Sequence, residues 1–265
     1  LDLLNLLMEK QCNLVINWMR VGFIHGVMNT DKMTISGQTI VYGPCAFMDH
    51  YYAKTVFSSI DKFGRYSFSN QPKITKWNLA RFAECLIPLI DQNEDSAIKK
   101  ASDVVDNFEK IYEKKWLNMM RDKLGLFGED KEDKKLINDL LNWMELNKVD
   151  YTNTFCYLMN VKTPKINCYK TNEFHHWMDS WKKRLNLKEI SSSKYLDLMR
   201  SSNPIVIPRN HKVEEALNAA NENNLELLKN LLTVLENPYA DQKNILDYQS
   251  PLPITEKKFQ TFCGT

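Results

Sequence analysis

The stretch from His25 to Pro44, HGVMNTDKMTISGQTIVYGP, interrupts a chain whose apolar residues otherwise recur mostly at helical intervals. It follows an apolar helix, collects small and polar residues up to Asp31, and stops at Gly43-Pro44. We predict a short β-hairpin over Thr34–Tyr42 that turns at Gly37. The sequence therefore predicts a helical fold that contains one polar loop and two short strands.

Asp31 is the candidate functional residue of this loop. A helix, a polar loop with an aspartate that we expect to be buried, two short strands and a glycine form the layout of a phosphoryl-transfer centre. In protein kinases the catalytic loop and the metal-binding aspartate follow each other in this order. The alternative is that Asp31 only closes the loop as an Asx-turn residue.

The remaining apolar pattern predicts helices. Residues 1–23 form one helix that ends at Gly22, and Pro72 suits the first turn of the next. We expect Ser96 to cap a long helix, and Asp150 or Thr152 to cap a later one. Further helices are predicted over 131–146, 173–185, 213–221 and 225–235.

Composition narrows the classes of partner. Lys plus Arg number 35 and Asp plus Glu 33, so the net charge of +2 does not favour nucleic acid. No apolar run approaches the roughly 18 residues that span a bilayer, so no membrane partner is expected. The opening residues lack the features of a signal peptide, and without an initiator Met we expect the chain to begin partway through a longer protein.

Metal and disulfide chemistry is not indicated. The six cysteines include no CxxC pair, which is typical of reduced thiols that mostly fill the core. The adjacent His175 and His176 point about 100° apart on a helix, so they cannot easily share a metal, and we expect structural or surface roles.

Several long strings carry a resemblance to a known family. They are HGVMNTD at 25–31, YGPCAFMD at 42–49, GRYSFSNQP and WNLAR within 64–81, NPIVIPRNHKVEEAL at 203–217, and TFCGT at 261–265. On these strings the chain resembles the selenoprotein O (SelO) family of protein adenylyltransferases, which have a pseudokinase fold.

The resemblance implies a fold, a reaction and a location. It predicts a single kinase-like C-terminal lobe over 1–265, mainly α with a small β-hairpin. Its parts would be a catalytic-loop region at 25–44, a helical remainder at 72–236 and an irregular tail at 237–265 that wraps back over the body. Members move AMP from ATP, with Mg²⁺ or Mn²⁺, to Ser, Thr or Tyr hydroxyls of proteins, in a bacterial cytoplasm or in mitochondria.

The resemblance also assigns roles within the loop. Asp31 matches the family's proton acceptor, whereas Lys32 stands where the family has a metal-binding Asn. Val41 stands where the family has the main metal-binding Asp. Lysine has no lone pair to give a metal when charged, and valine has no ligand atom. Arg65, together with Arg209 and His211, matches family strings and is predicted to be a structural loop anchor.

Two interpretations remain open from sequence. The first is an adenylyltransferase that is truncated and impaired, since the family's N-terminal lobe with its glycine-rich ATP loop is not found here. A version of it is a split enzyme in which a separate polypeptide supplies that lobe. The second is a non-catalytic lobe, a binding module or the product of a decayed or split gene.

Overall fold

A computed structural model describes residues 1–164, 167–187, 190–252 and 259–262. It is mainly helical with one small two-stranded sheet, as predicted. The α-helices are α1 Asp2–Val21, α2 Gln71–Ile90, α3 Glu94–Lys123, α4 Asp133–Leu146, α5 Tyr151–Leu158, α6 Asn172–Asn186, α7 Ser192–Ser202, α8 Asn210–Asn221, α9 Glu226–Leu235 and α10 Leu246–Gln249. The strands are β1 Phe23–Ile24 and β2 Ala46–Phe47, and 3₁₀ turns lie at Thr30–Lys32, Phe68–Asn70 and Asn167–Lys170.

The sheet lies at the base of the polar loop. Strand β1 precedes the loop and β2 follows it, and they pair antiparallel with Phe23 opposite Phe47 and Ile24 opposite Ala46. The Phe23 and Phe47 rings meet nearly edge to face, with centroids 5.3 Å apart. The chain therefore leaves the core and returns to it at one place, and everything between is held as a closed loop.

The predicted hairpin is wrong in its position and extent. Over Thr34–Tyr42 the described structure has a single antiparallel bridge, Met33 to Thr39, instead of a ladder. The turn itself is where it was expected, because Gly37 donates its N–H to the Thr34 carbonyl over 3.2 Å at a φ of +71°. The side chains of Gln11 and His25 bind backbone carbonyls of this segment in place of a second strand, as described below.

The first three helices build the core beneath the loop. Helix α1 packs along α3, and α2 packs against both. Gly22 ends α1 in the left-handed conformation with its N–H on the Trp18 carbonyl, as the sequence predicted. Pro72 lies in the first turn of α2, also as predicted. These two ends fix where the loop begins and where the following segment rejoins the helical body.

The capping predictions divide. Asp150 caps α5 by accepting the Asn153 N–H over 2.7 Å, which confirms one of the two alternatives. Ser96 does not cap α3, since the helix begins at Glu94. Asn93 is the cap, and its side chain accepts the Ser96 N–H over 2.8 Å. Asn and Ser are both favourable N-cap residues, and the helix begins one turn earlier than predicted.

Two buried ionic clusters join distant segments. Asp133, which is fully buried, accepts from the Nε atoms of Arg121 at 2.7 Å and Arg184 at 2.6 Å. Arg209 binds buried Asp150 at 2.6 Å and the less buried Asp49 at 2.7 Å. Arg209 thus anchors its loop, in agreement with the role predicted for it.

The last described residues return to the body, as the tail was predicted to do. Thr261 donates its N–H to the Phe57 carbonyl over 2.8 Å, and its carbonyl accepts the Ser59 N–H over 3.0 Å. The tail is not wholly irregular, because α10 lies within it. Pro253 and Cys263 are outside the described residues.

Burial bears on two smaller predictions. His175 and His176 are exposed on α6, as expected of surface residues. The five described cysteines are unpaired, but only Cys12 and Cys156 are buried. Within the described ranges, no helix is long and apolar enough to cross a membrane.

Candidate functional site

His25 begins the loop and joins its two arms. The residue is fully buried, and its backbone N–H donates to Gln71 Oε1 over 3.0 Å. Its Nε2 lies 2.9 Å from the Ile40 carbonyl, so we assign the proton to Nε2. Burial lowers the pKa of His25, and the nearby charge of Lys32 lowers it further, so the ring is neutral at neutral pH. His25 therefore acts as a fixed brace between the arms.

Gly26 lets the two ends of the loop cross closely. Its φ is +84°, and a Cβ there would lie 2.5 Å from the Pro44 carbonyl oxygen. Only glycine accommodates both the conformation and the contact. The same Pro44 carbonyl accepts the Thr261 hydroxyl over 2.6 Å, so the tail reaches the crossing point.

Polar side chains from the helices hold the rest of the loop. Trp18 Nε1 donates to Thr39 Oγ1 over 2.8 Å, and Asn78 Nδ2 donates to the Met28 carbonyl over 2.9 Å. Gln11 donates to the Thr34 carbonyl. Sequence reasoning did not single out these three residues. Each has an uncharged side-chain N–H group among the apolar residues of α1 or α2. That pattern could have indicated a helix side chain that binds the loop.

Asp31 is not buried, contrary to the prediction. It lies on the 3₁₀ turn Thr30–Lys32, and its side chain is 63% exposed. Its Oδ2 is 2.8 Å from the Lys32 Nζ, and Lys32 is 24% exposed. The hydrogen bond from Lys32 lowers the pKa of Asp31, so the carboxylate is ionised at neutral pH. A charged, accessible carboxylate thus projects from a rigid loop.

Val41 lies on the other arm in a strained conformation. Its φ is +55°, in the left-handed region that β-branched residues rarely occupy. The side chain is 42% exposed, and the preceding carbonyl, that of Ile40, is fixed by His25. The Met33–Thr39 bridge brings the arms that carry Lys32 and Val41 side by side.

These residues do not fit a divalent metal ion. Of the three positions to which the resemblance gave proton-transfer and metal roles, Asp31 alone carries an oxygen ligand, and it is paired with Lys32. Mg²⁺ prefers several oxygen ligands, and an ammonium group beside the site repels a cation. Over the residues that the structure describes, no group of three His, Cys, Asp or Glu side chains is placed to hold a metal.

A cavity of about 520 Å³ adjoins the loop. Thr30, Met33 and Thr34 line it from the loop, with Gln11 and Asn78 among the residues on the helical side. Its remaining lining is largely apolar. The cavity therefore begins at the residue before Asp31 and extends between α1 and α2.

The fold and loop geometry define a helical domain that presents an exposed, rigidly held aspartate, and sequence comparison identifies its class. The family model described as "Protein adenylyltransferase SelO" matches residues 2–236, and the chain belongs to this family.

Curated bacterial relatives agree with this assignment. A protein nucleotidyltransferase YdiU from Pelagibacter ubique is 62% identical over 265 residues, which are 100% of this chain and 55% of that protein. The protein of the same name from Nitrosococcus oceani is 51% identical over 268 residues, covering 100% of this chain and 54% of the relative. The chain thus spans about half the length of the curated relatives it matches. Neither relative supports the mitochondrial alternative.

Proposed function

We propose that this chain forms the kinase-like C-terminal lobe of a protein nucleotidyltransferase, which moves AMP from ATP to Ser, Thr or Tyr hydroxyls of proteins. The observation that carries the proposal is the exposed carboxylate of Asp31 on a loop fixed from three sides. His25, Trp18 and Asn78 hold that loop through hydrogen bonds of 2.8–2.9 Å. Rigid placement of a base is what a transfer reaction needs from the protein.

Asp31 acts as the proton acceptor in this proposal. The substrate hydroxyl gives its proton to the Asp31 carboxylate as its oxygen bonds to the α-phosphorus of ATP. The bond between the α-phosphorus and the bridging oxygen breaks, and pyrophosphate leaves with the electron pair. Because Lys32 lowers the pKa of Asp31, the carboxylate is a weaker base here than an unpaired one.

The chain's activity is reduced in this proposal. Lys32 and Val41 supply no metal ligands, so a metal ion that bridges the phosphates would lack these two contacts. The rest of the nucleotide site, including the ATP-binding lobe, would come from residues outside this chain's sequence or from a separate polypeptide. A bacterial cytoplasmic location stays a prediction from the resemblance.

The alternative is a non-catalytic lobe that only binds proteins. The Asp31–Lys32 pair favours this alternative, since the Lys32 ammonium binds the carboxylate that would have to accept the proton. One experiment separates the two functions. The purified chain is incubated with ATP labelled on the α-phosphate, Mg²⁺ or Mn²⁺ and a protein acceptor, alone and with a polypeptide that carries the missing lobe.

Three variants make the result specific. Asp31→Asn should abolish labelling, whereas Asp179→Asn, an exposed aspartate on α6, should leave it unchanged. Lys32→Asn combined with Val41→Asp should increase labelling by at least about tenfold, because it restores oxygen ligands near the phosphates. If neither the original chain nor this double variant labels any acceptor with the lobe present, the transferase proposal is wrong and the binding function stands.

A further inference from the structure

Four exposed residues form a cluster beside the Asp31 loop, which we call the basic ridge: Arg65, Lys73, Trp77 and Arg81. Lys73, Trp77 and Arg81 are four residues apart on α2, so they follow one another along one face. Arg65 comes from the segment before α2, and its guanidinium carbon is 4.8 Å from the centroid of the Trp77 ring. The guanidinium carbon of Arg81 is 5.5 Å from the same centroid.

The two arginines of the ridge share one carboxylate partner. Arg81 binds Glu84 at 2.6 Å. In the described part of the chain, neither Arg65 nor Lys73 has an ion pair with a carboxylate. Two guanidinium groups and one carboxylate therefore meet around one indole ring. Like charges held this close repel each other, and an anion bound between them would remove that cost.

The ridge is joined to the loop that carries Asp31. Tyr66, next to Arg65, donates its hydroxyl to Asn29 Oδ1 over 2.7 Å. Trp77 and Arg81 line the 520 Å³ cavity that begins at Thr30. The ridge therefore borders a cavity whose lining includes Thr30, the residue before Asp31.

The ridge also borders a larger groove. Lys73, Trp77 and Arg81 line an open groove of about 1140 Å³ between α2 and α3. The lining of this groove also includes Glu84, Asp91, Glu94, Asp106 and Glu109. These carboxylates repel an acidic ligand, so the ridge would hold such a ligand on the side of the cavity at the loop. The ridge stands between this groove and the cavity at the loop.

We propose that the basic ridge binds an acidic segment of the protein substrate and so presents a nearby hydroxyl to Asp31. The proposal rests on the proposed function and specifies its substrate class. The guanidinium group of an arginine binds a carboxylate through two parallel hydrogen bonds. The exposed Trp77 ring offers a flat surface for the peptide chain. Arg65, predicted from sequence as a structural anchor, would contact the substrate with its exposed guanidinium. A nucleotide triphosphate is the other anion that such a site accommodates.

Peptide binding tests the proposal without any transfer reaction. Two fluorescent peptides share a central serine, one flanked by glutamates and the other by glutamines, and their binding to the full chain is followed by anisotropy. The acidic peptide should bind several-fold to about tenfold more tightly, as two or three partly exposed charge pairs would produce. The preference should weaken as salt is raised.

Variants assign the preference to the ridge. Arg65→Gln combined with Arg81→Gln should abolish it, with the circular dichroism spectrum unchanged. The matched control, Lys182→Gln with Lys183→Gln, removes two exposed cations from α6 and should keep it. An equal loss in both variants, or no preference in the original chain, would overturn the proposal. So would competition by inorganic tripolyphosphate that depends on Arg65 and Arg81, since the ridge would then be a phosphate site. If the chain shows this binding preference but no transfer activity, the proposal for the ridge stands and only the proposed reaction is wrong.

Discussion

The Nζ atom of Lys32 lies 2.8 Å from the Oδ2 atom of its chain neighbour Asp31. Adjacent residues rarely face each other on a helix, but the tight 3₁₀ turn Thr30–Lys32 brings these two side chains together. The pair keeps Asp31 ionised and also occupies the carboxylate. The base and the group that restrains it are therefore consecutive residues.

Removing the charge of Lys32 should strengthen the base. Lys32→Gln is expected to raise the pKa of Asp31 towards its ordinary value of 3.8, because the hydrogen bond from Lys32 is the main cause of its lowering. Lys32→Arg keeps the cation and should leave the pKa low. Carboxyl-carbon NMR titration of Asp31 measures both. An unchanged titration in Lys32→Gln would mean that Lys32 does not restrain Asp31 in solution.

Relieving the backbone at Val41 should stabilise the fold. Left-handed backbone costs an ordinary residue roughly 1–2 kcal/mol, and Asn tolerates it far better than a β-branched residue. Val41→Asn should therefore raise the free energy of unfolding by about 1 kcal/mol. Val41→Ile keeps the branch at Cβ and should leave stability within about 0.5 kcal/mol. Urea denaturation compares the three proteins, and a less stable Asn variant would contradict a strained Val41.

Lys123 should make the free energy of unfolding depend on pH below its ordinary pKa of 10.5. It is 1% exposed, donates to the Arg20 carbonyl over 2.8 Å and lies 3.8 Å from the Phe155 ring centroid. Burial holds the pKa of Lys123 well below its ordinary value of 10.5. The unfolded chain then binds more protons than the folded one between these two pKa values, so stability rises with pH across that window.

Lys123→Met removes this dependence. The variant should gain most over the original chain at low pH, where a charge must be buried, and the difference should shrink as the pH approaches 10.5. Unfolding free energies at several values from pH 6 upwards test the trend. A constant difference between the two proteins would show that Lys123 does not titrate on folding.

Breaking the Asp133 cluster should be costly. Burial alone would raise the pKa of Asp133, but hydrogen bonds from Arg184 and Arg121 lower it overall. Its stabilising effect is present above the ordinary value of 3.8 and is lost as the pH falls through the lower folded value. Asp133→Asn leaves two buried arginines poorly paired, so we expect a loss of roughly 3–5 kcal/mol at neutral pH.

A surface aspartate on the same helix provides the comparison. Asp139 pairs with Lys135 at 2.6 Å in an exposed position. Asp139→Asn should cost less than about 0.5 kcal/mol. Thermal unfolding of both variants at pH 7 and near pH 3 checks the magnitudes and the acid dependence. Similar losses in the two proteins would contradict the importance of burial at Asp133.

The sequence predicted the helices well because their apolar spacing and their ends are local properties. Gly22 and Asp150 each mark an end through a backbone conformation or a capping bond made within a few residues. The hairpin over Thr34–Tyr42 failed for the opposite reason. The side chains of Gln11 and His25, which precede that segment in the chain, bind the Thr34 and Ile40 carbonyls that a second strand would have used.

The candidate site was only partly predictable. The family strings pointed to Asp31 as the proton acceptor, and that role remains a prediction for the labelling experiment. Its exposure was not predicted, although its neighbours Asn29, Thr30 and Lys32 are polar, because the layout of a catalytic loop favoured burial. The stacking of Arg65 on Trp77 joins two segments whose contact depends on how α2 meets the preceding loop. Such contacts follow from tertiary packing and leave no short-range pattern.

The hydrogen bond from Thr261 to the Pro44 carbonyl also has a consequence for how the protein is made. A ribosome completes Pro44 more than two hundred residues before it adds the threonine that closes over it. Through most of translation the crossing at Gly26 therefore lacks this partner, and the nascent loop can be reached by chaperones or proteases. The site acquires this bond only after residue 261 has been made.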